Sequence, residues 1–425
     1  MDIKKIAVDS TVLLRDADGV ADSRILAGFR SMIESEAVTR ARNAGYAVPE
    51  RYCRVGEFGL DIIGETATEA NMRPDGRYLP EGVEKLIQGE VSALLSLDVN
   101  GAPRRSTAST MLINMKPTYG TVSRYGAVPV VSSADTVSVT AKTAEDCQAL
   151  LSVLCGRDEK DPTTVSDRLC PMKNARPATG GLRVTVCNDA VKTADPAVME
   201  RYNGTVRQLT AIGAEIAHLP TEAQTLLKVA HAAWNTVLCA EARGNLSRYD
   251  GIRYGKRATE YKDLGEAYVK SRSEGFGELV KAVMLYGSYV LSPDCESGGF
   301  AKAAEARRWV NAEVNALFEN TDVLLLPAGS VPFYTSENIK SQGITALNEN
   351  FYTALPSLCG LPTLTVDGVQ FIGKPFSDNV LLTALSRLAE RLRPGGQAPA
   401  RDYVSRRLRA AANYGSRRGQ TPTSS

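Results

Sequence analysis

Apolar and polar residues alternate along this chain on two periods. Short β-branched or continuous apolar runs give way to longer stretches with apolar residues three and four apart, the pattern of strands alternating with amphipathic helices. "LRVTVC" (Leu182–Cys187) follows Gly180–Gly181 and predicts a strand. The segment after it, "DPAVMERYNGTVRQLTAIG", has proline at a first-turn position and apolar residues at helical spacing, so it predicts a helix. "AEIAHLP" reads as the next strand. "TDVLLLPAG" (Thr321–Gly329) is a continuous apolar run, expected of a strand covered on both faces. "TAEDCQALLSVLCG" starts with Thr143 and Asp146 at capping-box-like spacing and stops at Gly156, which bounds a helix. Further helices are expected over 23–44, 223–243, 301–318 and 378–393.

This alternation predicts an α/β fold. At 425 residues the chain exceeds the usual domain size of about 100–200 residues. It has no internal repeat and no obvious linker, and large α/β enzymes often keep one sheet at such lengths. The expectation is one domain over 1–393. Residues 394–425 change character: they are rich in arginine, glycine, proline and serine, and are expected to be a disordered basic tail. Such a tail can touch RNA or another anion weakly, but the net charge of +2 gives no global pull toward nucleic acid or membrane.

The composition, 43% hydrophobic and 23% charged, is that of a soluble globular protein. None of the eight cysteines forms a CxxC pair, and with only two histidines (His218 and His231) a zinc site is not expected. No cofactor is implied. Scattered single cysteines read as buried, reduced thiols of a cytoplasmic protein. Cys147 and Cys155, eight apart, are expected to share a helix face and to pack. The N-terminus reaches Asp9 too soon for a signal-peptide apolar region, and no run approaches the roughly 20 apolar residues of a membrane span.

The stretch "KPTYGTVSRYG" resembles the amidase-signature family, and within it the A subunits of glutamyl-tRNA(Gln)/aspartyl-tRNA(Asn) amidotransferases. Similarity continues through "SSADTVSVTAKTAEDCQALLSVLCGRDEKDPTT", "NLSRYDGIRYGKR", "SRSEGFGELVKAVMLYGSYVLS", "CGLPTLTV" and "VQFIGKPF". Upstream, "SRILAGFRSMIESEAVTRARNAGY" and "GEFGLD" fit the segment before the family's catalytic centre, so the resemblance runs from about Ile6 to Arg393. It implies a twisted mixed β-sheet flanked by helices. It also implies a mechanism in which a serine attacks the glutamine amide and a second serine relays the proton to a buried lysine. Serine is a weak nucleophile until a base takes its proton, and lysine is such a base only where its surroundings lower its pKa. Glycines let backbone N–H groups approach the developing oxyanion. The ammonia released would serve a partner B subunit.

Carried over residue by residue, the resemblance places three other side chains at the triad. The family's Gly-Gly-Ser falls on Asn100, Gly101 and Ala102, so the nucleophile position is Ala102. The second serine falls at Tyr78 within "PDGRYLPEGVEK", and the lysine at Asp9 in "IAVDST". Asp98 and Gly101 remain from the element around the nucleophile. The arginine that grips the glutamine carboxylate matches Arg307 in "KAAEARRWV", and the family's aspartate facing the substrate ammonium falls on Asn350. A "RYGYR"-like piece reads "RYGKR", with Lys256 in place of tyrosine. Nearby hydroxyls are Ser96, Ser106, Thr107 and Ser109; a hydroxyl in a turn or helix usually caps it or faces solvent. The family's N-terminal helical region has no counterpart, which would uncover apolar surface for a partner.

The expectation is therefore a non-catalytic homologue of the A subunit that acts by binding, with B- and C-like subunits as its partners. Two rivals stand beside it: an active A subunit or amidase with a displaced nucleophile, and a decaying gene product without a function.

Overall fold

A computed structural model of the chain describes residues 4–63, 72–108, 110–172, 181–220, 224–295 and 298–383. Among these residues nine strands form one mixed sheet. In chain order they are β1 (Ile6–Val8), β2 (Ala93–Asp98), β3 (Ile113–Lys116), β4 (Thr136–Ala141), β5 (Arg183–Val186), β6 (Glu215–His218), β7 (Val323–Pro327), β8 (Thr363–Val366) and β9 (Val369–Gly373). Across the sheet the order is β1-β2-β4-β3-β8-β9-β7-β5-β6. The β1–β2, β5–β6 and β5–β7 pairs are parallel, whereas β2–β4, β3–β4, β3–β8, β8–β9 and β7–β9 are antiparallel. The hairpin between β8 and β9 turns on Asp367 and Gly368, both at positive φ (47° and 77°), the conformation a two-residue Asp-Gly loop favours.

Most elements lie where the apolar pattern put them. The segment after Gly181 forms β5, the helix Pro196–Ala211 and β6; the continuous run at 321–329 forms β7, buried at all five positions. The helix Ala144–Leu154 starts at Thr143, whose hydroxyl accepts from the Asp146 N–H. Cys155 lies one residue past that helix, so it does not share its face with Cys147, although both are buried. Helices also span Gln224–Leu246 and Gly299–Leu317. Of the helix expected at 378–393, residues 378–383 are helical and the remainder lies outside the described residues, as does the tail.

The helix expected over 23–44 is not formed as such. Two short 3-10 turns (Val20–Asp22 and Arg24–Leu26) come first, and an α-helix runs only over Glu36–Asn43. Gly28 at φ 79° turns the chain, and the stretch after it runs alongside 13–16: Asp16 N–H donates to Ser31 O (2.8 Å) and Ser35 N–H to Leu13 O (2.9 Å). Pairing with a distant segment overrides a merely local periodicity here, and Phe29 and Met32 are left exposed.

Two kinds of face meet in the sheet. One is apolar: Leu95 and Leu97 lie opposite Val139 and Val137, Met115 opposite Val139 and Leu364. The helix Ala144–Leu154 packs here with Cys147, Leu150, Leu151 and Leu154 buried. The alternate residues of the same strands are polar. The register sets Ser96 against Ser138, Asp98 against Thr136, Asn114 against Thr140 and Thr365, Lys116 against Thr363, and Thr365 against Gln370. All of these are buried. A polar sheet face shut away from water must be satisfied internally. Asn114 Nδ2 reaches Thr140 Oγ1 (2.9 Å), and Gln370 Nε2 reaches Pro327 O (2.7 Å) and Tyr352 O (2.9 Å). The candidate site sits on this face.

Candidate functional site

The site grows out of the end of β2. Past Asp98 the chain turns at Gly101 (φ 80°), where an added Cβ would lie 2.5 Å from Thr353 Cβ and Oγ1, so a residue without a side chain is required. Gly101 N–H donates to Asp98 Oδ1 (3.1 Å), and a single helical turn, Ala102–Arg105, follows. Arg104 folds back over this loop. Its Nε and Nη2 donate to the two Asp98 oxygens (2.8 and 2.9 Å), and its remaining donors reach Gln370 Oε1 (3.0 Å), Thr353 O (3.1 Å) and Ser357 Oγ (2.6 Å). Burial alone would raise the Asp98 carboxyl; the Arg104 guanidinium reverses this and holds it below the ordinary carboxylate range. Lys116 lies nearby, its ammonium on Leu361 O (3.0 Å), and burial followed by repulsion from Arg104 pulls it down to about 8.

Two of the three positions that the resemblance assigns to the triad fall in one buried cluster. Ala102 and Tyr78 share one buried apolar cluster with Ile62, Ile63, Val331, Tyr334, Ile344 and Ala346. Tyr78 is held from both ends: its N–H donates to Tyr334 O (2.9 Å) and its hydroxyl pairs with Ser336 Oγ (3.1 Å).

Asp9 meets different neighbours. It is 2% exposed at the end of β1, and its Oδ1 has no hydrogen-bond partner. Burial pushes its carboxyl up to about 8; Ser96, facing it from β2, tempers the shift without closing a hydrogen bond of normal geometry, and Asp22 and Glu81 add to it. An unfolded aspartate titrates at about 4. The neutral form's contribution to stability is therefore full below about pH 4 and is lost as the pH rises through about 8. Asp9→Asn, which cannot ionise, should stabilise the protein more at pH 8 than at pH 5, by a difference above about 1 kcal/mol. Urea unfolding at the two pH values measures it, and an equal gain at both would refute the reading of Asp9 as a strained buried acid.

Next to Ala102 lies a buried charged cluster that the motifs did not reveal. Arg105 is 1% exposed, with Nη2 on Asp61 Oδ2 (2.5 Å) and Nη1 on Asn100 O (2.7 Å). Burial works against its charge, but the Asp61 carboxylate outweighs that and holds the guanidinium above its ordinary range. Glu349 and Tyr334 complete the group around Gly329, where an added Cβ would lie 2.8 Å from the Tyr334 hydroxyl and 3.2 Å from Glu349 Oε1. Glu349 takes the Ser330 N–H (2.5 Å) and hydroxyl (2.9 Å), and burial raises its carboxyl. The doublet "RR" was the available signal for Arg104 and Arg105, but nothing local in the chain names their buried partners.

The two expected substrate residues are tied to separate partners. Arg307 is half-buried and donates to Ser133 Oγ (2.8 Å) and Ser133 O (3.1 Å). Asn350 is fully buried, its Nδ2 on Asn100 Oδ1 (2.8 Å) and Asn235 Oδ1 (2.7 Å), while its own Oδ1 has no hydrogen-bond partner. Asn100 Oδ1 also accepts from Trp234 Nε1 (3.0 Å). Lys256 is exposed. Among the nearby hydroxyls, Ser106 donates to Pro103 O (2.8 Å) and Thr107 to Arg104 O (2.7 Å), so both close the short helical turn. Ser109 lies outside the described residues.

Comparison with known proteins agrees with this architecture. The family model described as "Amidase" matches residues 95–382. The A subunit of the Symbiobacterium thermophilum glutamyl-tRNA(Gln) amidotransferase is 31% identical over 397 residues, which cover 89% of this chain and 80% of that protein. Its namesake from Thermotoga maritima is 29% identical over 395 residues, 88% of this chain and 81% of that one. The crystal structure of the Thermotoga maritima protein superposes with a TM-score of 0.72 at 25% identity, covering 93% of this chain and 84% of that chain. An allophanate hydrolase from Kluyveromyces lactis gives a TM-score of 0.73 at 20% identity over 93% of this chain and 63% of that one, a likeness of fold alone. With a family match that starts in the strand leading to Ala102 and ends at the last described helix, and with relatives similar along nearly the whole chain, this protein belongs to the amidase family.

Proposed function

We propose that the protein is a non-catalytic member of the family that acts by binding, in the place an amidotransferase A subunit would occupy, with B- and C-like subunits as its partners. The observation that carries this reading is Ala102: a methyl group, 1% exposed and in one buried apolar cluster with Tyr78, Tyr334 and Ile344, stands where the resemblance calls for the attacking hydroxyl. Asp9 at the lysine position strengthens it. A buried carboxyl stands there in place of the lysine amine on which the family's proton relay depends. The relatives that suggest the partners are named as A subunits, and this chain covers about four fifths of their length. The proposal sets the protein in the cytoplasm, in keeping with its scattered single cysteines; no described helix is long and apolar enough to cross a membrane.

A second reading, hydrolysis by a displaced nucleophile, has one observation in its favour. Ser96 is a hydroxyl beside a titratable group, Asp9, on the polar sheet face. Against it, both side chains are almost fully buried.

Mixing the protein at micromolar concentration with the B- and C-like subunits of its own cell tests the binding reading. Co-elution ahead of the separate components and a lower rate of tRNA amidation are expected, because an A-like chain that supplies no ammonia competes for the docking surface. Separate elution with amidation unchanged would remove the proposal.

A further inference from the structure

Two thiols meet where the helix Ala144–Leu154 ends. Cys155 is the residue after its last turn, and from there the chain loops out and returns to Cys170. The two side chains are hydrogen-bonded to each other. Cys155 is 2% exposed and Cys170 is fully buried, both in the main core cluster. Two other buried thiols have partners of a different kind: Cys147 Sγ lies on Ile113 O (3.6 Å) and Val139 O (3.8 Å), and Cys53 Sγ accepts from Lys85 Nζ (3.6 Å).

The loop itself brings its ends together. Cys155 bridges to Val122, Gly156 N–H donates to Thr121 O (3.1 Å), and Val165 N–H donates to Gly120 O (2.9 Å), so both limbs lie along 120–122. Nearer the cysteines, Arg157 N–H donates to Asp167 Oδ1 (3.0 Å) and its Nη1 to Thr164 O (3.1 Å). Thiols already in contact at the ends of a pinned loop need little backbone movement to join, the condition a disulfide sets. Access comes from one side. Ser166, Asp167, Arg168 and Leu169, which lead into Cys170, are all exposed, Leu169 by 57%. An outward swing of this arm uncovers Cys170 and leaves the sheet intact, and local openings cost less than global unfolding.

We propose that Cys155 and Cys170 form a reversible redox pair, two thiols in the reduced protein that a peroxide closes to a disulfide. One thiolate attacks the O–O bond of hydrogen peroxide and becomes a sulfenic acid; the hydroxide released takes up the thiol's proton as water. The sulfur of the second thiol then attacks the sulfenic sulfur and expels a second water. Two thiols and one peroxide give one disulfide and two waters, with two electrons passed from sulfur to oxygen. The hydrogen bond from Cys170, together with burial, holds the Cys155 thiol well above its ordinary range, which keeps it unreactive while the arm is closed. Asp158 and Asp161, inside the loop, accept from Ser123 Oγ (2.5 Å) and the Arg124 N–H (2.8 Å), so the new bond also ties down the "SRYG" turn. The pair is independent of any B- or C-like partner.

Peroxide treatment of the reduced full-length protein, unfolding into iodoacetamide, trypsin digestion and mass spectrometry test the proposal. Cleavage after Arg157 and Arg168 puts the two cysteines on separate peptides. The expected product is these peptides joined through Cys155 and Cys170, lighter by two hydrogens than their sum and separated by dithiothreitol. The link should persist in Cys147→Ser, whose position shares the Cys155 peptide, and vanish in Cys170→Ser. The oxidised wild type should melt about 4 °C above the reduced one, because closing a loop of about 15 residues restricts the unfolded chain. Wild-type protein in which Cys155 and Cys170 are alkylated separately after peroxide, or in which either is joined to another cysteine, would overturn the proposal. So would a link that lowers the melting temperature, the sign of a bond the folded chain does not accommodate.

Discussion

Arg105→Ala is expected to lower the unfolding free energy by about 3–5 kcal/mol, the range seen when one partner of a buried ion pair is removed. Arg105 donates to Asp61 and to the Asn100 carbonyl, and both side chains of the pair are closed to solvent. Truncation would take the cation away from Asp61, which lies beside Glu349 and Tyr334. The cost arises from the stranded carboxylate, because a buried pair taken as a whole stabilises little. Asp61→Asn combined with Arg105→Met should therefore recover most of the loss, since the volume is kept and the charges are gone. Urea unfolding of the two variants measures this. A single variant losing less than about 1 kcal/mol, or a double variant as unstable as the single one, would show that the cluster does not depend on the pair.

The second large effect is an absent one. The purified protein should release no ammonia from glutamine, asparagine or simple amides above the buffer blank, and Ala102→Ser should not change that. Loss of the nucleophile alone costs a serine hydrolase about a million-fold in turnover. Restoring a hydroxyl at position 102 would leave it without the family's lysine, since Asp9 stands at that position, and without the relay serine, since Tyr78 stands there engaged by Ser336 and Tyr334. The new hydroxyl would also be added within the buried cluster to which Ala102 belongs. Ammonia release that survives repurification and disappears in Ser96→Ala would sink the non-catalytic reading and establish the displaced nucleophile. Activity gained by Ala102→Ser alone would show that some other group in the site can act as the base.

Much of the architecture was legible in the residues. Continuous apolar runs such as 323–327 became covered strands, and the proline at Pro196 and the threonine at Thr143 opened the helices they were expected to open. These signals are local: a cap, a first-turn proline and a helical stripe each act within a few residues. The helix expected at 23–44 failed for the same reason, because its stripe had to compete with pairing to 13–16 and lost. The identities at the site were equally plain in the chain. That position 102 is alanine, position 78 tyrosine and position 9 aspartate needs no coordinates.

What those side chains meet was decided in three dimensions. In the strand "TVSVTA" Thr136, Ser138 and Thr140 alternate with apolar residues, yet both sides are buried. Tyr78 is anchored by Ser336, Arg105 by Asp61, and Asn350 by Asn100, partners separated by 258, 44 and 250 positions. Periodicity tells which residues of an element share a face; it carries no information about what covers that face or which distant charge lies opposite. Burial then sets the chemistry. The same aspartate that would be an ordinary acid in water becomes, buried against Ser96, a carboxyl raised to about 8.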